Sequence, residues 1–466
     1  MKTMRLHSIA LLVTATLSGC AVGPAYERPA TPEPAAFKEA QGWVPAAPAD
    51  ALDRGPWWQL FNDPVLNELA ASVEVSNQNV AAAVAAYAQA RAIVAQERAA
   101  LFPSVSLGLS ADRSGVRNGG ASTAYRLNLG GDWEPDVWGR LRAGVTSAQA
   151  SAEATAADLA SARLSAQGEV AANYFTIRAL DAQRTLLESS IAGYERELRI
   201  TENRYNVGIV ARTDVLQAQT QLANARNDAL TLQRQRAQFE HAIAVLVGKA
   251  PSEFTLAPAA AWQVHVPAIP VGVPATLLQR RPDIAAAERD VAAANAEIGI
   301  ARSAYFPNIG LSASLGSGGA RFSDLFSASN AAWSLGLSAA QSIFNAGATR
   351  AGVAGAEARH QAAVARYRQT VLNAFADVED QLTAVRVLEQ QQELRRVASE
   401  AADKVEQQIL NRYRAGQVSY SEVVQAQNTA LNARRSLVQV QADRQGAAVS
   451  LIQALGGGWR VGQDPM

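Results

Sequence analysis

The sequence predicts a mixed α/β membrane protein, internally duplicated, with four short strands and several very long helices in each chain. Three observations carry this. The phrases RYNVGIVARTDVLQAQTQLANAR at 204–226 and RYRAGQVSYSEVVQAQNTALNAR at 412–434 agree at eleven of twenty-three positions. Proline is absent from Asp136 to Ala250 and again from Asn308 to Asp464, so each half has room for helices of unusual length. Four short segments alternate apolar residues with small polar ones, the pattern of strands that meet lipid on one face.

Length and composition set the frame. The chain has 466 residues, zero formal net charge, 48% hydrophobic residues and 6% aromatics, enough for two domains or one large duplicated one. Balanced charge gives no reason to expect nucleic acid as a partner. The sole cysteine, Cys20, excludes an internal disulfide. It follows a basic start at Lys2 and Arg5 and an apolar stretch from Ile9 to Leu17, too short for a spanning helix, which reads as a signal peptide. Leu17-Ser18-Gly19-Cys20 resembles a bacterial lipobox, making Cys20 the acylated first residue of the mature chain. Ala21 in place of an aspartate leans towards the outer membrane.

The elements follow in order. Residues 1–19 form the signal peptide. Residues 20–60, rich in Pro and Ala, form an acylated extended segment. Residues 61–250 form the first repeat: a helical pattern from Val65 to Ala100, a hairpin at about 103–132, a long helix, a tight turn and a returning helix. Six prolines between Pro251 and Pro282 mark an equatorial linker over 251–282. Residues 283–455 repeat the unit, with a hairpin at about 307–342, and 456–466 form a tail. LFPSVSLGLS at 101–110 matches YFPNIGLSAS at 305–314, and RAGV recurs at 142 and 350. In the long helices Val170, Tyr174, Ile177, Leu180, Leu187, Ile191, Tyr194 and Leu198 are spaced as a packing seam, as are Val371, Phe375, Val378, Leu382 and Val385. Their other faces carry Gln, Arg, Glu and Asn. A helix from about Arg142 to Asn206 is roughly 100 Å long at ~1.5 Å per residue, about three times a bilayer core.

Val105, Leu107, Leu109 and Ala111 alternate with Ser106, Gly108, Ser110 and Asp112. Tyr125, Leu127 and Leu129, then Ile309, Leu311, Ala313 and Leu315, then Trp333, Leu335 and Leu337 repeat the pattern. Phe102, Trp133, Trp138, Phe306 and Phe344 flank the hairpins at interfacial positions. Four strands cannot close a barrel, and lipid does not tolerate open sheet edges. Three chains would supply twelve strands, an even number in the observed range, around a lumen lined by small side chains. A homotrimer with a pore is the expectation.

With the lipobox at Cys20, GPAYERP at 23–29, VPATLLQRRPDIAAAE at 273–288, the two RY…G phrases and ALGGGW at 454–459, the chain resembles the TolC-like outer-membrane factors, in the NodT-type (OprM-like) lipoprotein branch. The resemblance covers essentially the whole mature chain. It implies a trimeric twelve-stranded outer-membrane β-barrel continued by a long periplasmic α-helical barrel. It also implies docking onto a periplasmic adaptor (membrane fusion) protein and an inner-membrane transporter, usually of the RND type, for export of drugs, metals or other small toxic compounds. An exit duct of type I protein secretion and a non-conducting envelope lipoprotein are the alternatives.

Each RY…G phrase then reads as a helical hairpin at the tip of the tunnel. Gly208 and Gly416 take the left-handed turn conformation, and Thr213 or Ser421 caps the returning helix. The resemblance places adaptor contact on Arg204, Tyr205, Val207, Gly208, Arg412, Tyr413 and Gly416. It places the tip gate on Tyr413, Asp214 and Glu422; Val418 stands where the family has an arginine and Gln425 where it has an aspartate, departures that shift the expected closure from an ionic latch towards packing and hydrogen bonds. His241, His265 and His360 lack metal-ligand spacing, and no nucleophile or nucleotide-binding motif occurs. No catalysis, cofactor or metal is expected, and acid pairs such as Glu379-Asp380 read as solvated faces.

Overall fold

The computed structural model describes residues 22–32, 34, 36–40, 56–117, 120–259, 262, 264–269 and 281–457. Cys20 and the lipobox lie outside them, as do residues 273–280 and Trp459. In chain order the elements are α1 (Pro64–Ser76), α2 (Gln78–Ala99), β1 (Ser104–Gly115), β2 (Ala121–Trp133), α3 (Arg140–Asn206), α4 (Arg212–Leu246), α5 (Pro282–Ser303), β3 (Asn308–Gly319), β4 (Ala331–Ala340), α6 (Ala348–Arg414) and α7 (Tyr420–Ala454). The duplication is written in element lengths. Helices α2 and α5 have 22 residues each, α3 and α6 have 67 each, and α4 and α7 have 35 each.

The helical pattern from Val65 to Ala100 is two helices, broken at Asn77. Its backbone is extended there, and its side-chain Oδ1 accepts the N–H groups of Asn79 (2.9 Å) and Val80 (3.0 Å). Asn77 thus caps α2, while its Nδ2 donates to the Leu246 carbonyl at 2.7 Å. An asparagine that satisfies orphan donors of the next helix ends the previous one without Pro or Gly, which is why periodicity alone ran through it.

Contacts divide the chain into two units. One comprises the sheet with the adjoining parts of α2, α3, α5 and α6. Its strands run antiparallel in the order β1-β2-β3-β4, so β2–β3 pairing joins the repeats and β1 and β4 are edges. Register places Leu107 opposite Leu129, Leu129 opposite Leu315, and Leu315 opposite Trp333, one apolar row across all four strands. Leu107, Leu109, Leu129, Leu315, Leu335 and Leu337 of this face stand exposed in the single chain. Below the sheet, Trp138 stacks on Phe306 at 4.9 Å and donates to the Pro307 carbonyl at 2.7 Å. Residues 22–30 lie along α5 and α6: the Tyr26 hydroxyl donates to Glu288 (2.5 Å), Arg28 to the Tyr367 hydroxyl (3.2 Å) and Asn295 to the Pro24 carbonyl (3.0 Å). Gly23 and Gly299 meet backbone to backbone, and a Cβ on either would come within about 3.1 Å of the other's Cα.

The second unit holds the remaining helical parts. Its core packs Trp57, Trp58 and Phe61 against Phe175, with Tyr174 donating to Asp63 at 2.5 Å. Among the described residues no helix is long and apolar enough to cross a membrane.

Candidate functional site: the two hairpin tips

Both long helices end in the same backbone motif. At the first tip the Gly208 N–H bonds the Tyr205 carbonyl (2.8 Å) and the Ile209 N–H bonds Arg204 (2.8 Å). At the second, Gly416 bonds Tyr413 (2.9 Å) and Gln417 bonds Arg412 (2.9 Å). These paired bonds, with Gly208 at φ +77° and Gly416 at φ +73°, are Schellman caps. A Cβ at either glycine would meet nothing within 4 Å, so the requirement is conformational rather than steric.

The returning helices start two residues earlier than the sequence reading had them. Their caps are Ala211, which contributes no side-chain bond, and Ser419. Thr213 and Ser421 are already helical, because the glycine caps reverse the chain faster than a longer loop would. Glu422 completes the second cap: its Oε1 accepts the Ser419 N–H at 3.1 Å and the Ser419 hydroxyl at 3.2 Å. Its carboxylate is therefore engaged at a helix N-terminus, where the dipole favours it.

The two hairpins interlock. Tyr413 is only 5% exposed, tilted against Tyr420 with ring centroids 5.3 Å apart. The Arg204 guanidinium sits 5.2 Å over its ring, and Ala218 and Val423 close the cluster, with half-buried Val418 packed on it. Burial pushes the phenols of both Tyr413 and Tyr420 up; for Tyr413 the neighbouring Thr201 hydroxyl pulls the other way, and for Tyr420 the Glu197 carboxylate adds to the rise. Arg414 reaches Glu197 of the first hairpin at 3.4 Å, and Gln221 donates to Asn428 at 2.7 Å between the returning helices. Asp214 is half-buried and Gln425 exposed. Of the residues that the resemblance assigns to an adaptor, Tyr205, Val207, Gly208, Arg412 and Gly416 lie exposed, Arg204 is half-buried, and Tyr413 is inside.

Above the tips the repeat preserves ion pairs that sequence reasoning missed. Arg226 pairs with Glu195 (2.8 Å), and Arg434, its counterpart in the second phrase, pairs with Asp403 (2.8 Å), each bond spanning 31 residues. Higher still, Asp181 lies between Arg178 (3.3 Å) and Arg236 (2.7 Å), and Arg236 also holds Glu240 (2.9 Å). This buried group clamps the chain leaving α4: Arg178 and Arg236 donate to the carbonyls of Ala257 (2.8 Å) and Leu256 (2.6 Å). The second repeat writes the same set as Arg386, Glu389 and Arg444. There Arg386 pairs with Glu39, and Glu379 accepts the N–H groups of Lys38 (2.7 Å) and Glu39 (2.9 Å). Glu379 is thus a strap anchor, not a solvated acid. A signal existed in the Arg-x-x-Asp and Arg-x-x-Glu pair at 178–181 and 386–389, one repeat apart. Among the described residues no His, Cys, Asp or Glu group could hold a metal.

A four-stranded sheet crossed by an apolar row from β1 to β4, together with a second unit that ends in two interlocked hairpins, is the fold of an outer-membrane efflux channel subunit. A structure of the outer-membrane channel OprN superimposes with a TM-score of 0.82 at 32% identity, covering 94% of this chain and all of that one. The open state of the MtrE outer-membrane channel of Neisseria gonorrhoeae gives 0.84 at 27%, covering 94% and 98%. The pyoverdine export outer membrane protein OpmQ of Pseudomonas aeruginosa is 32% identical over 99% of this chain and 98% of its own. A toluene efflux pump outer membrane protein, TtgC of Pseudomonas putida, is 32% identical over 97% and 95%. The chain belongs to the outer membrane efflux protein family, whose model matches residues 69–249 and again 273–457. It is an outer-membrane channel component of an efflux system, and its family and relatives are transport components.

Proposed function

We propose that three copies of this chain close one twelve-stranded barrel and one periplasmic tunnel, anchored by lipid on Cys20. The assembly is a passive exit duct for drugs, metals or other small toxic compounds, driven by an inner-membrane transporter of the RND type through a periplasmic adaptor. The observation that carries this is the sheet itself. It has two unpaired edges, β1 and β4, and an apolar row that crosses all four strands, an arrangement that lipid permits only when sister strands complete it. A water-filled lumen lowers the barrier to crossing and supplies no energy, so the chain needs no catalytic group. The tip is held shut by the packing of Tyr413 into the first hairpin, with Arg414–Glu197 as its ionic tie, and the exposed Tyr205, Val207 and Arg412 offer the adaptor its contacts.

Purified protein in planar bilayers is expected to give stable conductance steps, and a strain lacking the gene is expected to regain compound tolerance on complementation. A stable trimer that never conducts would favour a structural lipoprotein, and co-purification of a protein-secretion transporter would favour type I secretion. At the tip, Val207→Asp is expected to weaken adaptor capture about tenfold, as truncation of a central contact does, while leaving the trimer intact. Undiminished capture would remove the first tip from the adaptor surface.

A further inference from the structure

The end of the sheet remote from the helices carries a patch that conduction does not use. Val116 and Arg117 leave β1 there, and residues 320–330 connect β3 to β4. Within 112–126 and 317–331 the chain has Arg113, Arg117, Arg126 and Arg321 against only Asp112 and Asp324. Arg126 and Asp112 pair with each other at 2.9 Å. Both have even numbers in strands whose leucines are odd, so that pair lies on the small-polar, lumen face. Arg113 lies on the opposite face, two residues beyond Ala111 in the row of Val105, Leu107 and Leu109, and its register partner is Thr123. Asp324 directs its carboxylate to the Arg321 backbone N–H (3.0 Å), not to the guanidinium. Among the described residues no acid pairs with Arg113, Arg117 or Arg321.

Beside these cations stands an aromatic cluster on the same face. Tyr125 meets Phe322 edge-on at 6.0 Å, and Phe322 meets Phe326 at 5.9 Å. Phe322 is 53% exposed and Phe326 74%, although the loop that carries them is tightly built. Leu325 is buried beneath it, the Asp324 carbonyl accepts the Asn330 amide at 3.0 Å, and a Cβ on Gly319 would fall 2.3 Å from the Asp324 Cβ. The rings are thus presented outward by a fixed scaffold.

Depth decides what meets them. From Trp133 to Thr123 along β2 is ten residues, ~34 Å at ~3.4 Å per residue. With a tilt of about 40° that is roughly 26 Å of height, close to the ~25 Å apolar band of outer-membrane barrels. If Trp133 marks the inner interface, Arg113 stands at the outer one, at headgroup depth, with the aromatic rings just below. We propose that this rim binds a phosphorylated, multiply acylated lipid of the outer leaflet, Arg113 and Arg321 holding phosphate and the Tyr125–Phe322–Phe326 cluster taking acyl chain. Arg117 adds charge at the same end. The inference rests on the outer-membrane insertion proposed above.

The test is native mass spectrometry of the full mature protein in detergent, offered bisphosphorylated lipid A, dephosphorylated lipid A or phosphatidylglycerol. The wild type should retain the bisphosphorylated lipid in preference to the other two. Arg113→Gln with Arg321→Gln should reduce retention about tenfold, the loss of two charge-assisted contacts. Arg126→Gln, which removes the same charge from the lumen face, should retain it fully. Should the double variant fail to assemble, Arg321→Gln alone, outside the strands, carries the expectation at about threefold. Wild-type retention in the assembled Arg variants, an equal loss in Arg126→Gln, or indifference to the phosphates would overturn the proposal. Each sample is checked for heat-resistant trimer and conductance; wild type lacking both would instead refute the membrane reading beneath it.

Discussion

Replacing Asp181 by alanine is expected to lower stability by about 3–5 kcal/mol, the cost of leaving buried charge without its partner. The carboxylate is almost wholly enclosed and serves two arginines, Arg178 and Arg236, that are themselves nearly buried. It also accepts the Ala259 N–H at 3.3 Å. Without it the enclosed Arg178 guanidinium has no acidic partner, and Arg236 is left with Glu240 alone. The segment after α4 should loosen as well, because four of its backbone groups, on Leu256, Ala257 and Ala259, bond to this cluster. The measurement is the temperature at which helicity is lost in detergent, with Glu188→Ala as the comparison. Glu188 pairs with Arg184 at 2.7 Å on an exposed face, and its removal should cost about 0.5 kcal/mol or less. Equal effects of the two substitutions would show that the Asp181 cluster is solvated in the assembled protein.

Leu335→Arg is expected to block membrane assembly, whereas Ser334→Arg, one residue away, is expected to be tolerated. The two side chains point to opposite faces of β4, Leu335 in the apolar set with Leu337 and Trp333, Ser334 bonded to Ser314 at 2.8 Å across the other face. A cationic side chain at mid-membrane on the lipid face costs ~2–4 kcal/mol per chain, and a trimer multiplies it by its copies. On the lumen face the same charge meets water and alters ion preference instead. Heat-resistant trimer on gels reads the first outcome, single-channel selectivity the second. If both variants assembled equally well, the face assignment would be wrong.

The strands were legible because alternation at period two is local, and Leu107, Leu129, Leu315 and Trp333 each show it within their own segment. Long helices were legible from the absence of proline, and the duplication from the tip phrases. What escaped the sequence depends on residues distant in the chain. Asn77 looks like one more polar position until Leu246 supplies its partner. Asp181 and Glu379 look like surface acids until residues 254–259 and 37–39 fold onto them. The tips divide in the same way. Gly208 and Gly416 announced the turns, but Tyr413 is enclosed by Arg204 of the other repeat and by Tyr420, seven residues further along the chain. Cap positions slipped by two residues because Schellman closure is a backbone event that Thr213 and Ser421 do not report.

The account turns on edges β1 and β4 being completed by sister chains in lipid, and particle mass before and after detergent removal tests it most directly. Three chains per detergent particle, lost to aggregation once detergent is withdrawn, is the result expected. A single chain that remains folded and dispersed in plain buffer would contradict it.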